Sequence, residues 1–194
     1  MRYAVVGDIH SSTNDLEAVL KQVAEVAPDA KLIGTGDLFE CTISKKNITD
    51  YKYNQMQDVM LLPEGFRELL TFPTIRGNQE ERIVFITKND DPLRDELERL
   101  PEIMQIGDAV VIHGHQWHYG DNPWQKLSPE WRLVFFGHTH RSEIFRNGQP
   151  ECIRFGDEYE VGKERVIVNV GSVIENREWV LYDEENAVIR FMKA

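Results

Sequence analysis

The sequence predicts an α/β protein in which two sheets pack face to face with helices on the outside. The opening reads as strand, helix and strand, the unit that forms a parallel strand pair. From residue 103 onward the pattern is a series of short strands, and neither a linker nor a repeat separates the two halves. A chain of 194 residues with 41% hydrophobic residues can bury one sizeable core, so we expect a single domain over residues 1–194.

The first half begins with a predicted strand over residues 2–7, "RYAVVG". A helix is expected from Asn14, because apolar residues recur at helical spacing through "NDLEAVLKQVAEVA" and Pro28 follows the last of them. A second strand is expected over residues 31–39, "KLIGTGDLF". Residues 40–60 are polar and poorly periodic. Because a loop of that length is either functional or mobile, we expect it to form a partial lid over the site.

The later elements alternate at first and then become strands. Before residue 103 we expect a helix at 64–71, a strand at 72–76, a helix at 80–88 and a short helix entered through Pro92. The segment "IMQIGDAVVIHG" predicts two strands joined as a hairpin at Gly107 and Asp108. Further strands are predicted in "WRLVFFGH", in "ERVIVNVGS" and in the two arms of "EWVLYDEENAVIRF".

The composition excludes several classes of protein. A net charge of -11 argues against binding to the nucleic-acid backbone, which depends on Lys and Arg neutralising phosphates. No apolar run approaches the ~18 residues of a membrane span, and the opening lacks the long apolar segment of a signal peptide. The two cysteines, Cys41 and Cys152, do not form a disulfide framework and indicate a reducing compartment. We therefore expect a cytoplasmic protein, and the sequence leaves its oligomeric state open.

Residues that commonly bind metals follow five of the predicted strands. They are Asp8 and His10, Asp37, Asn78, His113 with His115, and His138 with His140. A Gly-Asp pair alone is ordinary turn chemistry, but five such blocks at the carboxyl ends of strands can converge on one edge of the sheets. The donors are imidazole, carboxylate and amide groups without a thiolate, which suits Mn²⁺, Fe, Zn²⁺, Co²⁺ or Ni²⁺. A single ion would leave some of these donors uncoordinated, whereas two ions that share one carboxylate would use all of them.

The ordered blocks "GDIH", "GD", "GN", "HGH" and "GHTH" resemble the calcineurin-like metallophosphoesterases. With "IVNVGSV" near the end, the chain is most similar to the compact bacterial and archaeal phosphodiesterase branch of that superfamily. The resemblance implies a four-layer α/β/β/α sandwich with a dinuclear centre, for which Mn²⁺ is the expected ion and Fe, Zn, Ni or Co are alternatives. It assigns Asp8, His10 and His140 to one ion, Asn78, His113 and His138 to the other, and Asp37 to both.

The resemblance also implies a reaction. Two divalent ions lower the pKa of a water between them to about 7, and the hydroxide attacks a phosphate ester. Asp37 and Asn78 would therefore be catalytic through the ions that they hold. Relatives that cleave monoesters usually follow this Asn with a histidine that protonates the leaving group, but this chain has Gln79, which has no proton to give at neutral pH. We expect a phosphodiesterase acting on a small phosphate ester such as a nucleotide, with the proton donor left open and Glu80 capping the following helix.

Four further residues are expected to contact substrate: Gln79, His115, Arg76 and His118, with Arg141 as a weaker candidate. Trp117, Tyr119 and Trp124 could form an aromatic wall beside them. Each of these residues also has an ordinary explanation. The histidines could belong to a solvated loop, the aromatic residues could simply pack, and the arginines could form surface salt bridges.

Other functions are compatible with the same blocks. A phosphomonoesterase, a protein phosphatase or a dinucleoside polyphosphate hydrolase of this superfamily is the main alternative. It is weakened because "GDLFECT" lacks the Asp-Arg-Gly element that follows the second block in that class, although "IRGNQE" does resemble its third block. A non-catalytic metal-binding scaffold is a further alternative. The complete set of seven donors argues against it.

Overall fold

The computed structural model describes residues 1–117 and 123–194, and for Pro123 and Trp124 it describes the backbone only. The strands are β1 (Arg2–Val6), β2 (Lys31–Gly34), β3 (Glu40–Cys41), β4 (Met60–Leu61), β5 (Ile103–Ile106), β6 (Ala109–Ile112), β7 (Leu133–Phe136), β8 (Ser142–Arg146), β9 (Gln149–Glu151), β10 (Glu158–Glu160), β11 (Val166–Val170), β12 (Glu178–Asp183) and β13 (Val188–Lys193). The helices are α1 (Thr13–Val26), α2 (Phe66–Leu69), α3 (Asn78–Ile86), α4 (Pro92–Arg99) and α5 (Pro123–Lys126), and two 3-10 turns cover Lys45–Asn47 and Met56–Asp58.

Two large mixed sheets form the centre of the molecule. The first sheet has the order β10-β13-β12-β1-β2, and the second has the order β5-β6-β7-β11-β8-β9. In the first sheet β1 pairs in parallel with β2, from Tyr3 opposite Lys31 to Val6 opposite Gly34. In the second sheet β7 pairs in parallel with both β6 and β11. The parallel strands within each sheet therefore end at the same edge, which is where the predicted ligands follow them.

The apolar side chains form layers between and outside these sheets. Alternate residues of β1 point to opposite faces: Val5 packs between the two sheets, whereas Ala4 and Val6 pack against the helices. Helix α1 buries Leu16 and Val19 in that outer layer together with residues of α2, α3 and α4. On the far face of the second sheet, a third cluster covers β6, β7 and β11. The predicted fold class, two mixed sheets with flanking helices, is confirmed.

Several element boundaries differ from the sequence prediction. Helix α1 begins at Thr13, one residue before the expected start at Asn14, and the hydroxyl of the preceding Ser12 donates to Asp15 Oδ2 at 2.7 Å. The predicted strand over 31–39 ends at Gly34, and beyond it the N–H groups of Asp37, Leu38 and Phe39 donate to the Glu80 carboxylate and not to a neighbouring strand. The predicted strand over 72–76 is only an isolated bridge between Gly34 and Thr74.

Strands β8, β9 and β10 were not expected from the sequence. They are three to five residues long and largely intermediate or exposed, so they lack the continuous apolar run that marked the other strands. The hairpin of β5 and β6 around Gly107 and the helix entered through Pro92 are confirmed. Within the described ranges, no helix has both the length and the apolar character needed to cross a membrane.

The segment 40–60 is ordered against helix α3. It opens with β3, which pairs with β4, and contains the two 3-10 turns. The Tyr53 N–H donates to the Ile86 carbonyl at 2.8 Å, and the Lys88 N–H donates to the Tyr53 carbonyl at 2.9 Å. The segment is therefore joined to the end of α3 by backbone hydrogen bonds on both sides of Tyr53.

Candidate metal centre

Six of the predicted ligands meet in two adjacent groups. The first ligand cluster is Asp8, His10 and His140, and the second ligand cluster is Asp37, His113 and His138. Within each cluster, one potential ligand atom from every residue lies within 4.8 Å of the others. The residues come from the ends of β1, β2, β6 and β7, so the parallel pairing of these strands is what brings them together.

The first ligand cluster has the form of a cation site. The Nε2 atoms of His10 and His140 lie 3.2 Å apart, and His140 Nε2 is 3.5 Å from Asp8 Oδ1. Asp8 Oδ1 is buried and accepts no hydrogen bond from any described residue, whereas Asp8 Oδ2 accepts one from the His138 N–H at 2.8 Å. A buried, unpartnered carboxylate oxygen facing two imidazole nitrogens fits a divalent ion bound by nitrogen and oxygen donors.

The second ligand cluster also includes the predicted amide donor. His113 Nε2 lies 3.2 Å from Asn78 Oδ1 and 3.3 Å from Asp37 Oδ2. The same Asp37 oxygen is 3.7 Å from His10 Nε2 of the first ligand cluster. The Asp37 carboxylate thus lies between the two clusters. Asn78 is the first residue of α3, so the helix start delivers its side chain to the site.

Burial and neighbouring charges shift the pKa values of the residues in the second ligand cluster. Burial alone would raise the pKa of Asp37, but the His113 imidazole and the Gln79 N–H lower it to about 2. Burial would lower the pKa of His113, yet Asp37 and Asp8 raise it to about 9. Burial and the neighbouring His113 lower the pKa of His138 to about 4. The carboxylates of the centre therefore favour positive charge beside them, which a bound divalent cation would supply.

The backbone is strained at most of these ligands. Asp8, His10, Asp37, His138 and His140 all have positive φ, between 48° and 72°. Residues other than glycine rarely adopt this left-handed region, which disfavours them by roughly 1 kcal/mol or more each. Strain of this kind persists where the surrounding structure fixes it, and here it turns each strand end sharply enough to point its side chain into the centre.

Two glycines allow the ligand loops to approach one another. A Cβ atom at Gly77 would lie 2.2 Å from Asp37 Oδ1 and 2.4 Å from the Asp37 backbone nitrogen. A Cβ atom at Gly137 would lie 2.3 Å from Asp8 Oδ2. Both contacts are too close for any side chain, so the glycines in "RGN" and "FGH" are required by the packing of the two carboxylates.

Glu80 supports the centre in a way that extends the expected helix-capping role. Its carboxylate is fully buried and accepts the Gly77 N–H at the start of α3 at 2.9 Å. It also accepts three N–H groups of the loop after β2, from Asp37 at 2.9 Å, Leu38 at 2.8 Å and Phe39 at 3.1 Å. Burial and the Asp37 charge raise the pKa of Glu80 to about 7, although these hydrogen bonds oppose the shift. One carboxylate therefore ties the loop of Asp37 to the helix of Asn78.

Two imidazoles are oriented by groups that the sequence analysis missed. His10 Nδ1 donates to Glu40 Oε2 at 2.5 Å, which leaves His10 Nε2 facing the first ligand cluster. His113 Nδ1 donates to the Thr35 carbonyl at 2.7 Å, which leaves His113 Nε2 facing the second. Such outer partners fix the tautomer and direction of metal-binding histidines. A backbone carbonyl has no sequence signature, and Glu40 lies in a polar segment where a carboxylate is common.

The predicted substrate contacts have different surroundings. The buried Gln79 amide oxygen accepts from the Cys41 N–H at 3.1 Å and from the Arg82 guanidinium. Arg76 is paired with Glu102 at 2.8 Å, which matches the salt-bridge alternative. His118 and Tyr119 lie outside the described residues, as does the side chain of Trp124.

His115 and Trp117 line a groove of about 760 Å³ beside the second ligand cluster. Asn78 and His138 form the end of the groove at the centre, and Lys45, Ile48, Glu81, Arg82 and Phe85 form the rest of its wall. His115 Nε2 is 3.1 Å from Glu81 Oε1, and Trp117 packs edge-on against Phe136 with ring centres 5.3 Å apart. The groove gives a substrate access to the second ligand cluster, and the segment 40–60 contributes Lys45 and Ile48 to it.

Comparison with solved structures supports the fold. The chain matches a metallophosphoesterase from Sphaerobacter thermophilus with a TM-score of 0.73 and 20% identity, covering 100% of this chain and 88% of that one. It matches an archaeal phosphodiesterase with a TM-score of 0.52 and 16% identity, covering 100% of both chains. It matches a phosphoesterase from E. coli with a TM-score of 0.51 and 15% identity, covering 99% of this chain and 98% of that one. No curated protein matches the sequence.

Family membership comes from the sequence itself. The family model described as the calcineurin-like phosphoesterase superfamily domain matches residues 1–182 and so includes every residue of both ligand clusters. Members of this superfamily are metal-dependent phosphoester hydrolases, which agrees with two groups of nitrogen and oxygen donors at the strand ends. The chain therefore belongs to the calcineurin-like phosphoesterase superfamily and is a metallophosphoesterase.

Proposed function

We propose that the protein is a phosphodiesterase that works with two divalent ions, one at each ligand cluster. The observation that carries this proposal is the position of Asp37, whose carboxylate oxygen lies 3.3 Å from His113 Nε2 and 3.7 Å from His10 Nε2. A carboxylate between two imidazole clusters can serve both ions at once. Mn²⁺ is the ion to test first, with Fe, Zn, Ni and Co as alternatives, because imidazole, carboxylate and amide donors suit all of these metals and the site offers no thiolate.

The proposed ligands divide between the ions by distance. Asp8, His10 and His140 would hold the first ion, and Asn78, His113 and His138 would hold the second, with Asp37 shared. When bound, such a pair of ions supplies a nucleophile derived from water and stabilises the charge that develops on the phosphoryl oxygens. The role of the protein is to hold the metal-binding side chains in place. Glu80, Glu40 and the Thr35 carbonyl hold three of them in the required directions.

The preference for diesters is argued from the start of helix α3. The position that follows Asn78 is Gln79, and its amide oxygen is engaged by Cys41 and Arg82. An amide cannot protonate a leaving alkoxide at neutral pH, so Gln79 cannot act as the general acid. Diesters with stable leaving groups need less protonation than alkyl monoesters, and we therefore expect them to be the better substrates.

The test compares bis(p-nitrophenyl) phosphate with p-nitrophenyl phosphate in the presence of Mn²⁺. We expect a higher kcat/KM for the diester and two bound Mn²⁺ per chain by metal analysis. Asp37→Asn should lose one or both ions and more than ~100-fold in activity, because even outer partners of metal ligands contribute 10–100-fold. The matched control is Asp95→Asn, since Asp95 lies on α4 and pairs only with Arg99 among the described residues.

Two results would contradict the proposal. Equal rates for Asp37→Asn and the parent would exclude a shared carboxylate at the centre. A higher kcat/KM for the monoester than for the diester would exclude the phosphodiesterase preference while leaving the metal centre intact.

A further inference from the structure

The groove beside the second ligand cluster follows one face of helix α3. Arg82 lies four residues after Asn78 and Phe85 lies three residues after Arg82, so these side chains project along the same side of the helix. Asn78 is at the end of the groove nearest the centre, and Phe85 is farther along. A molecule with its reacting phosphate at the ligand clusters would therefore extend past Arg82 towards Phe85.

Within the described ranges, the two positive side chains of the groove have no acidic partner. The Arg82 guanidinium bonds the Gln79 amide, its Nε is buried without a partner, and among the described residues it forms no ion pair. Lys45 lines the groove as well and forms no ion pair with any residue that the structure describes. By contrast, Arg76 and Arg94 nearby are both paired with glutamates. In a chain with a net charge of -11, two unpaired cations in one groove favour an anionic ligand.

The one carboxylate in the groove is already engaged. Glu81 Oε1 lies 3.1 Å from His115 Nε2 and 3.9 Å from Arg76 Nε. Its carboxylate is therefore held by His115 and Arg76. Glu81 forms no ion pair with Arg82 or Lys45, so these two groove cations have no carboxylate partner among the described residues.

The far part of the groove presents apolar surface. Phe85 is 57% exposed although it is a large hydrophobic residue, and Ile48 lies beside it in the wall. Lys52 Nζ sits 3.8 Å from the centre of the Phe85 ring, which fixes the ring from one side. An exposed, fixed aromatic ring next to an aliphatic side chain is suited to a planar ring of a ligand.

We propose that this groove is a subsite for a nucleoside diphosphate group, with the second phosphoryl group between Arg82 and Lys45 and the base against Phe85 and Ile48. The inference rests on the proposed function, because it takes the phosphate nearest the ligand clusters to be the one that reacts. It extends that function by assigning the substrate a second phosphoryl group, which a simple diester lacks. Arginine is well suited to this contact, since its planar group can bind two phosphate oxygens at once.

The test measures binding and does not depend on turnover. The probes are α,β-methylene-ADP, whose two phosphorus atoms are joined by carbon, and the phosphonate analogue of AMP in which carbon replaces the ester oxygen. Equilibrium dialysis with the Mn²⁺-loaded protein gives a Kd for each. We expect the diphosphate probe to bind about tenfold more tightly, because a hydrogen bond to a charged group is worth about one factor of ten or more.

Variants then assign that preference to the groove. Arg82→Gln should remove most of the tenfold preference, Arg82→Lys should keep part of it, and the exposed Lys45→Gln should reduce it by a smaller factor. Phe85→Ala should weaken the diphosphate probe, because its adenine is placed against Phe85. Arg67→Gln is the control, because Arg67 pairs with Glu96 and lines a different cavity.

The outcomes separate the inference from the function on which it rests. The inference is overturned if the parent protein binds both probes equally, binds neither, or keeps its preference in Arg82→Gln. Because Arg82 also bonds Gln79, melting curves of Arg82→Gln and Arg82→Lys are compared. If both variants are equally destabilised but only Arg82→Gln loses the preference, the positive charge at position 82 is responsible for the preference. Hydrolysis by Asp37→Asn at the parent rate would instead refute the proposed function without altering these Kd values.

Discussion

The two ligand clusters lie side by side, yet different parts of the molecule support them. In the second ligand cluster, His113 is 0% exposed, bonds the Thr35 carbonyl, and adjoins the loop that the buried Glu80 holds. In the first ligand cluster, the His140 side chain is 39% exposed, and His10 is directed by Glu40, whose side chain is 41% exposed. Each cluster has two buried ligands and one partly exposed histidine, so the clusters differ in the groups that hold these ligands, which are buried at the second cluster and include the partly exposed Glu40 at the first. Changes to the support of the second should affect both folding and metal binding, whereas changes to the support of the first should affect metal binding alone.

The largest effect is expected for Gly77→Ala. Its Cβ would meet both the carboxylate and the backbone nitrogen of Asp37, and backbone atoms cannot move aside as a flexible side chain could. We expect a loss of about 3 kcal/mol in the free energy of unfolding and loss of the ion at the second ligand cluster. Urea unfolding and Mn²⁺ analysis measure the two effects.

Gly156→Ala is the control for this change. Gly156 has φ +89°, but a Cβ atom added there would have no heavy atom within 4 Å, so alanine adds backbone strain of roughly 1 kcal/mol without a clash. If Gly77→Ala were no more destabilising than Gly156→Ala, the close approach of the two loops would not be the reason for a glycine at position 77.

Glu80→Gln should have the next largest effect. The amide keeps one oxygen for the four N–H groups and turns an NH₂ group towards the others, so charge-assisted hydrogen bonds are lost in a fully buried place. We expect about 2 kcal/mol of destabilisation and weaker Mn²⁺ binding, chiefly at the second ligand cluster. Urea unfolding and Mn²⁺ titration followed by electron paramagnetic resonance test this. Unchanged stability would remove the distinction between buried support and partly exposed support.

Glu40→Gln should affect the first ligand cluster and little else. Without the carboxylate, the His10 Nδ1–H loses its charged acceptor, and affinity for one of two Mn²⁺ should fall by about 10–100-fold. The free energy of unfolding should change by less than about 1 kcal/mol, because Glu40 is exposed to solvent. Glu64→Gln, at an exposed position, is the control for a change of charge. Loss of both ions from Glu40→Gln would contradict the independence of the two clusters.

The smallest effect is expected for Asp15→Asn, which lies outside both clusters but supports the loop behind His140. Asp15 accepts from Arg177 Nε at 2.8 Å and from the Glu175 N–H at 3.1 Å. Burial alone would raise the pKa of Asp15, but the hydrogen bond from Arg177 leads the contacts that lower it below its usual value of 3.8. The ionised group therefore adds stability above pH 3.8 that is lost as the pH falls through the lowered pKa.

The size of this contribution should be below about 1 kcal/mol at pH 7, since the Arg177 side chain is 44% exposed and the solvent screens the pair. Thermal unfolding of the parent and Asp15→Asn should differ at pH 7 and converge in strong acid. A difference that grows as the pH falls would have the wrong sign for a lowered pKa.

The sequence was sufficient to predict the ligands, because each of them follows a single strand or glycine that can be recognised on its own. Each ligand follows an apolar run or a glycine, and parallel pairing of β1 with β2 and of β6 with β7 then brings the strand ends together. The sequence was insufficient where the partner is a backbone group far along the chain. Glu80 accepts N–H groups about forty residues away, and this arrangement also explains why the predicted strand over 31–39 stops at Gly34.

The residue after Asn78 illustrates the same limit. The sequence draws attention to Gln79 because monoester-cleaving members of the family that it resembles usually have a histidine there, but it cannot show where the side chain goes. The structure shows the Gln79 amide between the Cys41 N–H and Arg82, and so links the start of the segment 40–60 to the groove. At the position where the resemblance would place a proton donor, this chain has a side chain that connects two walls of the groove.

The left-handed backbone at five of the proposed ligands makes the geometry of this centre costly to the stability of the fold. At Asp8, His10, Asp37, His138 and His140, glycine would suit the local conformation better than the residue that is present, but glycine has no donor atom. In the metal-free protein these five residues therefore lower the stability of the fold, and binding of the proposed ions would offset that cost.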